Sequence, residues 1–391
     1  MKQTSERIVF PCRRILALLL MAVMLLAAAG CGAQTEAPGK ADSPPGTSAP
    51  AEPAVADATA EGDASAPRVI VDMEGTSVTL PEKLEKVVCI QPTLTEYIIA
   101  FGQGDKLVGT HKNALNKVWL QRIWPEISDL RPYSYTASAE DVLAVGADLV
   151  IVPNGEAAEP LRAADIPTVV VALNDIESDY QHIRLMGEIF GEDMAARIEA
   201  WIEDVEEVKA EINAGLDKAG ITEGPSVYMV NGQSDHGIFY PQGGGGSALE
   251  AYLNGIRGIL ALKDFPANGN MPSEEEILAT DPEVILIGGR YGIPLKEAVL
   301  QDPVWADVSA IRSGQVYNVP IGGIGWDQGY IALPVELKFW ANVLYPEVFQ
   351  YDLTEEILTF YQKYFDCALT EQEATYMIEG LTPEGTPSWE D

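Results

Sequence analysis

The chain has 391 residues, 25 basic and 59 acidic side chains, and a formal charge of −34; 47% of it is hydrophobic, with four cysteines and three histidines. A polyanion of this size excludes nucleic acid and anionic membranes as partners reached through the overall field. Four scattered cysteines exclude a disulfide framework, and no Cys-x-x-Cys pair is present to build a zinc site.

Lys2, Arg7, Arg13 and Arg14 open the chain, and Ile15 to Ala29 is one apolar stretch. That stretch falls short of the ~20 residues a bilayer span needs. Small residues lead from it into Cys31, which is signal-peptide layout. The Ala29-Gly30-Cys31 ending is similar to a bacterial lipobox. The resemblance implies that Cys31 receives a lipid and becomes the new N-terminus, so residues 1–30 are expected to be removed. The remainder carries 21 basic and 58 acidic side chains, a charge of −37. Of the cysteines, Cys89 and Cys367 stay free, and Cys89 lies in an apolar run that suits a buried core thiol.

Residues 32–67 are dominated by Ala, Pro, Gly, Ser, Thr and acids, with no aromatic and no hydrophobic period. They read as a flexible spacer. Order begins near Arg68, where Val69 to Val71 and Ser77 to Leu80 flank Glu74-Gly75 as a hairpin. Strand-like runs follow at Val87–Ile90, Leu107–Gly109, Leu149–Val152 and Thr168–Val171, with helical stretches at Thr95–Phe101 and Ala139–Val145. The pattern recurs with strands at Val227–Val230, Val284–Ile287 and Val316–Val319, and helices at Ala248–Gly255, Glu274–Ala279 and Leu333–Leu344. Alternation of this kind predicts parallel sheets with helices on both faces.

Between the two sets, Met194, Ile198, Trp201, Val205, Val208 and Ile212 recur at spacings of three and four within Asp193–Lys218. This is one amphipathic helix, about 39 Å long at 1.5 Å per residue. A helix of that length is a strut joining two lobes. The sequence therefore predicts two doubly wound α/β lobes joined by a single long helix, with a ligand cleft between them. The segments are an N-terminal lobe at 68–177, a linking helical part at 178–219 and a C-terminal lobe at 220–369. Asp352-x-x-Glu355 opens its terminal helix, and 370–391 is a mobile tail.

The ordered part resembles the solute-binding lipoproteins of ABC importers for iron chelates, haem and cobalamin. Several segments carry the resemblance: Val71-Asp72-x-x-Gly75 through Pro81, Pro92-x-x-Thr95-Glu96, Phe101-Gly102-x-Gly104-Asp105, Glu140-Asp141-Val142-Leu143-Ala144-x-Gly146-Ala147-Asp148, Ser273-x-Glu275-Glu276-Ile277-Leu278-x-x-Asp281-Pro282, and Trp340-x-x-x-Leu344-Tyr345-Pro346. It implies the same two-lobed fold, an ABC permease and its ATPase as partners, and no catalysis. It also implies that Glu140 and Glu275, at the starts of matching helices, pair with permease arginines. The residue-level alternative is that both are favourable acids in a helix first turn.

In open α/β sheets, ligands sit beyond the carboxyl ends of the strands. That rule nominates Gln91, Pro92 and Thr93; His111 and Lys112, with Trp119; Asn154; Asn231 and Ser234 to His236; Arg290 and Tyr291; and Trp326 with Asp327. Tyr133, Tyr135, Phe239 and Tyr240 lie in loops that reach the same place. Aromatics with a few polar groups suit a bulky, partly apolar ligand, and Lys112 and Arg290 suit carboxylate or catecholate oxygens. His111 and His236 are candidates for haem iron, whereas a metal arriving already chelated needs no protein cofactor site. Gly243–Gly246 lacks the Lys-Ser/Thr of a phosphate loop, and Ser247-x-x-Glu250 is a capping box instead.

The expected function is a monomeric, lipid-anchored receptor on a bacterial membrane. It would capture a metal chelate, ferric siderophore first and haem or cobalamin second, and pass it on. A two-lobed enzyme would need a nucleophile and base; no Gly-x-Ser-x-Gly or His-Glu-x-x-His occurs. A surface binding or sensory protein without transport is the other alternative.

Overall fold

The structure, a computed structural model, describes residues 67–172, 176–232, 237–266, 271–323, 325–326 and 330–389. The leader, Cys31 and the spacer lie outside the described residues, as do Ser234, Asp235, His236 and Asp327.

A two-stranded antiparallel hairpin, β1 (Val69–Val71) and β2 (Ser77–Thr79), comes first. Asp72, 4% exposed, organises it. One carboxylate oxygen accepts the N–H groups of Glu74 and Thr76, at 3.0 and 2.8 Å. The other accepts the Val170 N–H at 3.2 Å and pairs with Arg162, so the hairpin is bolted to the first lobe.

That lobe runs β3 (Val87–Cys89), α1 (Pro92–Ala100), β4 (Leu107–His111), α2 (Lys112–Leu115), α3 (Val118–Ile123), β5 (Arg131–Tyr133), α4 (Ala139–Val145), β6 (Leu149–Val152), α5 (Gly155–Arg162) and β7 (Thr168–Val170). Its five strands are parallel in the order β5-β4-β3-β6-β7. After α6 (Ile176–Phe190) and α7 (Glu192–Ala219) comes the second lobe: β8 (Ser226–Val230), α8 (Ala248–Gly255), β9 (Ile259–Leu260), α9 (Glu274–Ala279), β10 (Val284–Ile287), α10 (Gly292–Gln301), α11 (Ser309–Ser313) and β11 (Val316–Asn318). These four strands are also parallel, ordered β11-β10-β8-β9. Three helices close the chain: α12 (Leu333–Leu344), α13 (Leu353–Phe365) and α14 (Glu371–Ile378).

The strands β3, β6, β7 and β10 are buried on both faces, as parallel strands covered by helices must be. Val87 and Cys89 point into one core while Val88 and Ile90 point into another; Val227 and Met229 likewise oppose Tyr228 and Val230. The first core of each pair is the same one. It passes from Val87 and Leu94 through α7 to Val227, Leu286 and Leu337, so both lobes share a continuous apolar interior.

α7 is the reason. Its residues Met194, Ile198, Trp201, Val205, Val208 and Ile212 are all buried. At its end Gly220 takes φ +73, which a side chain resists, and the Ile221 N–H returns to the Leu216 carbonyl at 2.9 Å. Trp201 meets Tyr97 of α1 edge-on at 5.7 Å and donates its indole N–H to the Ile331 carbonyl at 2.9 Å. One side chain thus touches both lobes.

Residues 370–389 differ from the mobile tail expected of them. Thr370 and Glu373 form a capping box that starts α14, and Leu381 bridges back to Pro387. Acid and proline content suggested disorder, but the acid Glu373 is bound to Arg122 of the first lobe.

Candidate functional site

The carboxyl ends of both sheets carry most of the nominated residues, but with unequal freedom to meet a solute. On the first lobe, α1 begins at Pro92 with no side-chain cap from Gln91. Its first turn therefore presents backbone N–H groups beside the buried Thr93. His111 ends β4 and caps α2, its Nδ1 accepting the Asn113 N–H at 3.2 Å. That bond requires an unprotonated Nδ1, so the neutral ring carries its proton on Nε2. Burial, and then the neighbouring Lys112 charge, push the imidazole below its ordinary range. Tyr135 stacks on the ring at 4.1 Å and stays 46% exposed. Lys112 is exposed beside them.

On the second lobe, Arg290 and Tyr291 form a unit: guanidinium over ring at 4.8 Å, and Nη2 donating to the Tyr291 hydroxyl at 2.6 Å. They follow a turn that only glycine permits. A Cβ on Gly232, after β8, would run into the Gly288 carbonyl, and Gly289 holds φ +70. The two turns can touch because all three residues lack side chains.

Other nominated side chains are already engaged. Asn154 caps α5 through Oδ1 on the Ala157 N–H at 2.9 Å. Glu74 of the hairpin accepts the Gly155 N–H at 2.6 Å, which occupies that helix terminus. Asn231 donates its amide to Gln242 at 2.7 Å, and its backbone N–H bonds the Tyr240 carbonyl at 2.9 Å. Tyr133 is buried and donates to the Asp141 carbonyl at 3.1 Å, on the α4 side.

Trp119 and Trp326 correct the expectation most. Both are 1% exposed. The Trp119 indole N–H is given to the Leu381 carbonyl at 2.8 Å, and Trp326 lies in the shared core beside Gly322 and Tyr361. Neither ring is available as a ligand wall, because contacts made on folding place both in the core. His236 and Asp327 fall outside the described residues. Among the described residues, no group of three or more His, Cys, Asp or Glu side chains is placed to hold a metal ion.

Known proteins now bear on this geometry. A family model described as periplasmic binding protein matches residues 87–321, more than half of the chain. The chain belongs to the periplasmic binding protein family. This binding protein is 23% identical over 339 residues to the molybdate-binding protein MolA of Haemophilus influenzae, covering 77% of this chain and 92% of that one. The structure of MolA bound to molybdate superposes with a TM-score of 0.65 at 19% identity, over 78% of this chain and 99% of that one. A periplasmic solute-binding protein of Veillonella parvula gives a TM-score of 0.65 at 22% identity, over 82% and 99%. An uncharacterised ABC transporter substrate-binding lipoprotein of Bacillus subtilis, YvrC, is 24% identical over 273 residues, 65% of this chain and 78% of that one. The two-lobed α/β architecture read from the sequence is that of these structures.

In this binding protein, Glu140 and Glu275 both sit exposed in the first turns of α4 and α9. Their neighbours are taken: Asp141 bonds Ser138 and Arg131, which hold its carboxyl below the usual range, and Glu276 closes the Ser273 capping box. The Glu140 and Glu275 side chains make no hydrogen bond or ion pair among the described residues. Sequence reasoning missed Glu74 and the Leu381 to Ser388 segment. Neither carries a motif, and only contacts across the chain reveal them.

Proposed function

We propose that this binding protein is the lipid-anchored receptor of an ABC importer and captures an anionic, metal-containing solute between its lobes. What carries the reading is the pairing of Arg290-Tyr291 at one strand end with Lys112, His111 and the uncapped α1 terminus at another. All of these favour negative charge or donate hydrogen bonds, in a molecule of charge −34.

The burial of Trp119 and Trp326 takes from the groove the two largest apolar faces on which a bulky chelate would lie. A compact oxyanion such as molybdate suits what remains, and the likeness to MolA supports it. A ferric siderophore is the second reading: the Arg290 and Tyr135 faces are exposed and suit catecholate or carboxylate oxygens. Haem and cobalamin stand behind these. Glu140 and Glu275, free and one to a lobe, are the docking pair for a basic permease surface, and Cys31 is the lipid attachment.

Isothermal titration of the mature protein with molybdate, ferric catecholate and hydroxamate siderophores, haem, cobalamin and free Ni²⁺ tests the reading. Binding of molybdate or a ferric chelate that weakens at least tenfold in Arg290→Ala is expected. Binding confined to uncharged or purely cationic solutes would overturn it.

A further inference from the structure

Trp119 and Arg122 lie one turn apart on α3, so both face the same way. Both reach residues more than 240 positions further along the chain. The Trp119 indole donates to the Leu381 carbonyl at 2.8 Å. The Arg122 guanidinium grips Glu373 with two bonds, Nε to Oε1 at 2.5 Å and Nη2 to Oε2 at 3.2 Å. This fork is shielded, the Glu373 side chain being 14% exposed. Glu373 also caps α14 through the Thr370 N–H and hydroxyl, at 2.8 and 2.9 Å, so the ion pair is fixed to a rigid element.

The same segment is fastened to the second lobe. The Ile321 N–H, just past β11, donates to the Met377 carbonyl at 3.0 Å. The Ser388 hydroxyl lies 3.1 Å from the Arg290 carbonyl and 2.8 Å from the Gly380 carbonyl. Gly380 rests against Ile293 at the start of α10. Between these anchors the chain is locked to itself. Thr382 N–H meets the Thr386 carbonyl at 2.8 Å, Gly385 N–H meets the Thr382 carbonyl at 2.9 Å, and Thr382 and Ser388 are 1% and 7% exposed.

We propose that residues 366–389 are a strap that ties α3 of one lobe to the β10–α10 and β11 turns of the other, fixing the width of the groove so that solute enters and leaves without the lobes swinging apart. Opening about α7 would have to break either the Trp119–Arg122 set or the Ile321–Ser388 set. Because the strap ends on the Arg290 turn, Ser388 is a positioning residue for the arginine assigned above; that part alone rests on the proposed function.

The test places spin labels on the exposed sites Glu126→Cys and Glu297→Cys, one in each lobe, in the otherwise native mature chain. A single narrow interlobe distance is expected without solute. Trp119→Phe with Arg122→Gln should broaden it and speed amide exchange of residues 371–381 about tenfold or more, while the strands of both sheets stay protected. A broad distribution in the native protein, or one equally narrow in the double variant with unchanged exchange, overturns the strap. If the double variant does not fold, Glu373→Gln takes its place with the same two readouts. Neither readout contains a solute, so a wrong ligand assignment shows only in the titration, where Ser388→Ala should weaken molybdate binding severalfold at unchanged thermal midpoint.

Discussion

Trp201→Phe removes a side chain of α7 that contacts both lobes. Two losses follow from the structure. The Ile331 carbonyl, in a residue only 2% exposed, is left without its donor, which costs about 1–3 kcal/mol. Replacing the indole by the smaller ring leaves a void in a fully buried site, worth ~1–2 kcal/mol more. The edge-on packing on Tyr97 weakens as well. The sum, about 2–5 kcal/mol, is a large share of the ~5–15 kcal/mol by which domains are stable. Urea unfolding, followed by far-UV circular dichroism and by hydrogen exchange of the strands in each sheet, measures it. The midpoint should fall by that amount with both sheets still unfolding together, because they share one core. A loss under about 0.5 kcal/mol, or lobes that separate into two transitions in the native protein, would refute the account of α7 as a common brace.

Charge reversal at Glu140 and Glu275 together should abolish cellular uptake and leave solute affinity unchanged, since neither side chain makes a hydrogen bond or ion pair among the described residues; loss of solute binding would refute the docking role. Asp72→Ala should destabilise by ~2–4 kcal/mol in chemical unfolding, because it unpairs three backbone N–H groups and removes the carboxylate partner of Arg162, which keeps the Thr168 carbonyl; an effect below about 1 kcal/mol would refute the bolt. His111 gives a pH dependence. Burial depresses its folded pKa below 6.5, so the unfolded chain binds more protons between the folded value and about 6.5. Stability is complete above that range and falls as pH drops through it. The slope of unfolding free energy against pH should flatten there in His111→Gln, and an unaltered slope would refute the neutral imidazole.

The fold was open to the sequence because its signals are local and periodic. The alternation of apolar runs with helical stretches, and the three-four spacing from Met194 to Ile212, follow from backbone geometry that each segment carries by itself. Ser247 before Glu250 likewise announced the cap that α8 uses. The short strands β5 and β9 were not legible; Arg131 to Tyr133 contains a proline and β9 spans only Ile259–Leu260. The strand-end rule nominated Arg290, Tyr291 and His111; in the structure Arg290 lies over the Tyr291 ring and His111 stacks on Tyr135.

Trp119, Trp326 and the tail show what no local pattern contains. The sequence by itself determined the class of architecture, two parallel sheets and one long strut, because periodicity and helix length are properties of contiguous residues. Tertiary structure alone decided which strand-end groups are buried or bonded elsewhere. A tryptophan beside a cleft becomes core when Leu381, 262 positions away, supplies its acceptor. An acidic, proline-rich end becomes ordered when Arg122 supplies its counter-charge. Burial and hydrogen-bond satisfaction depend on partners brought together by folding, and the spacing of residues along the chain carries no record of them.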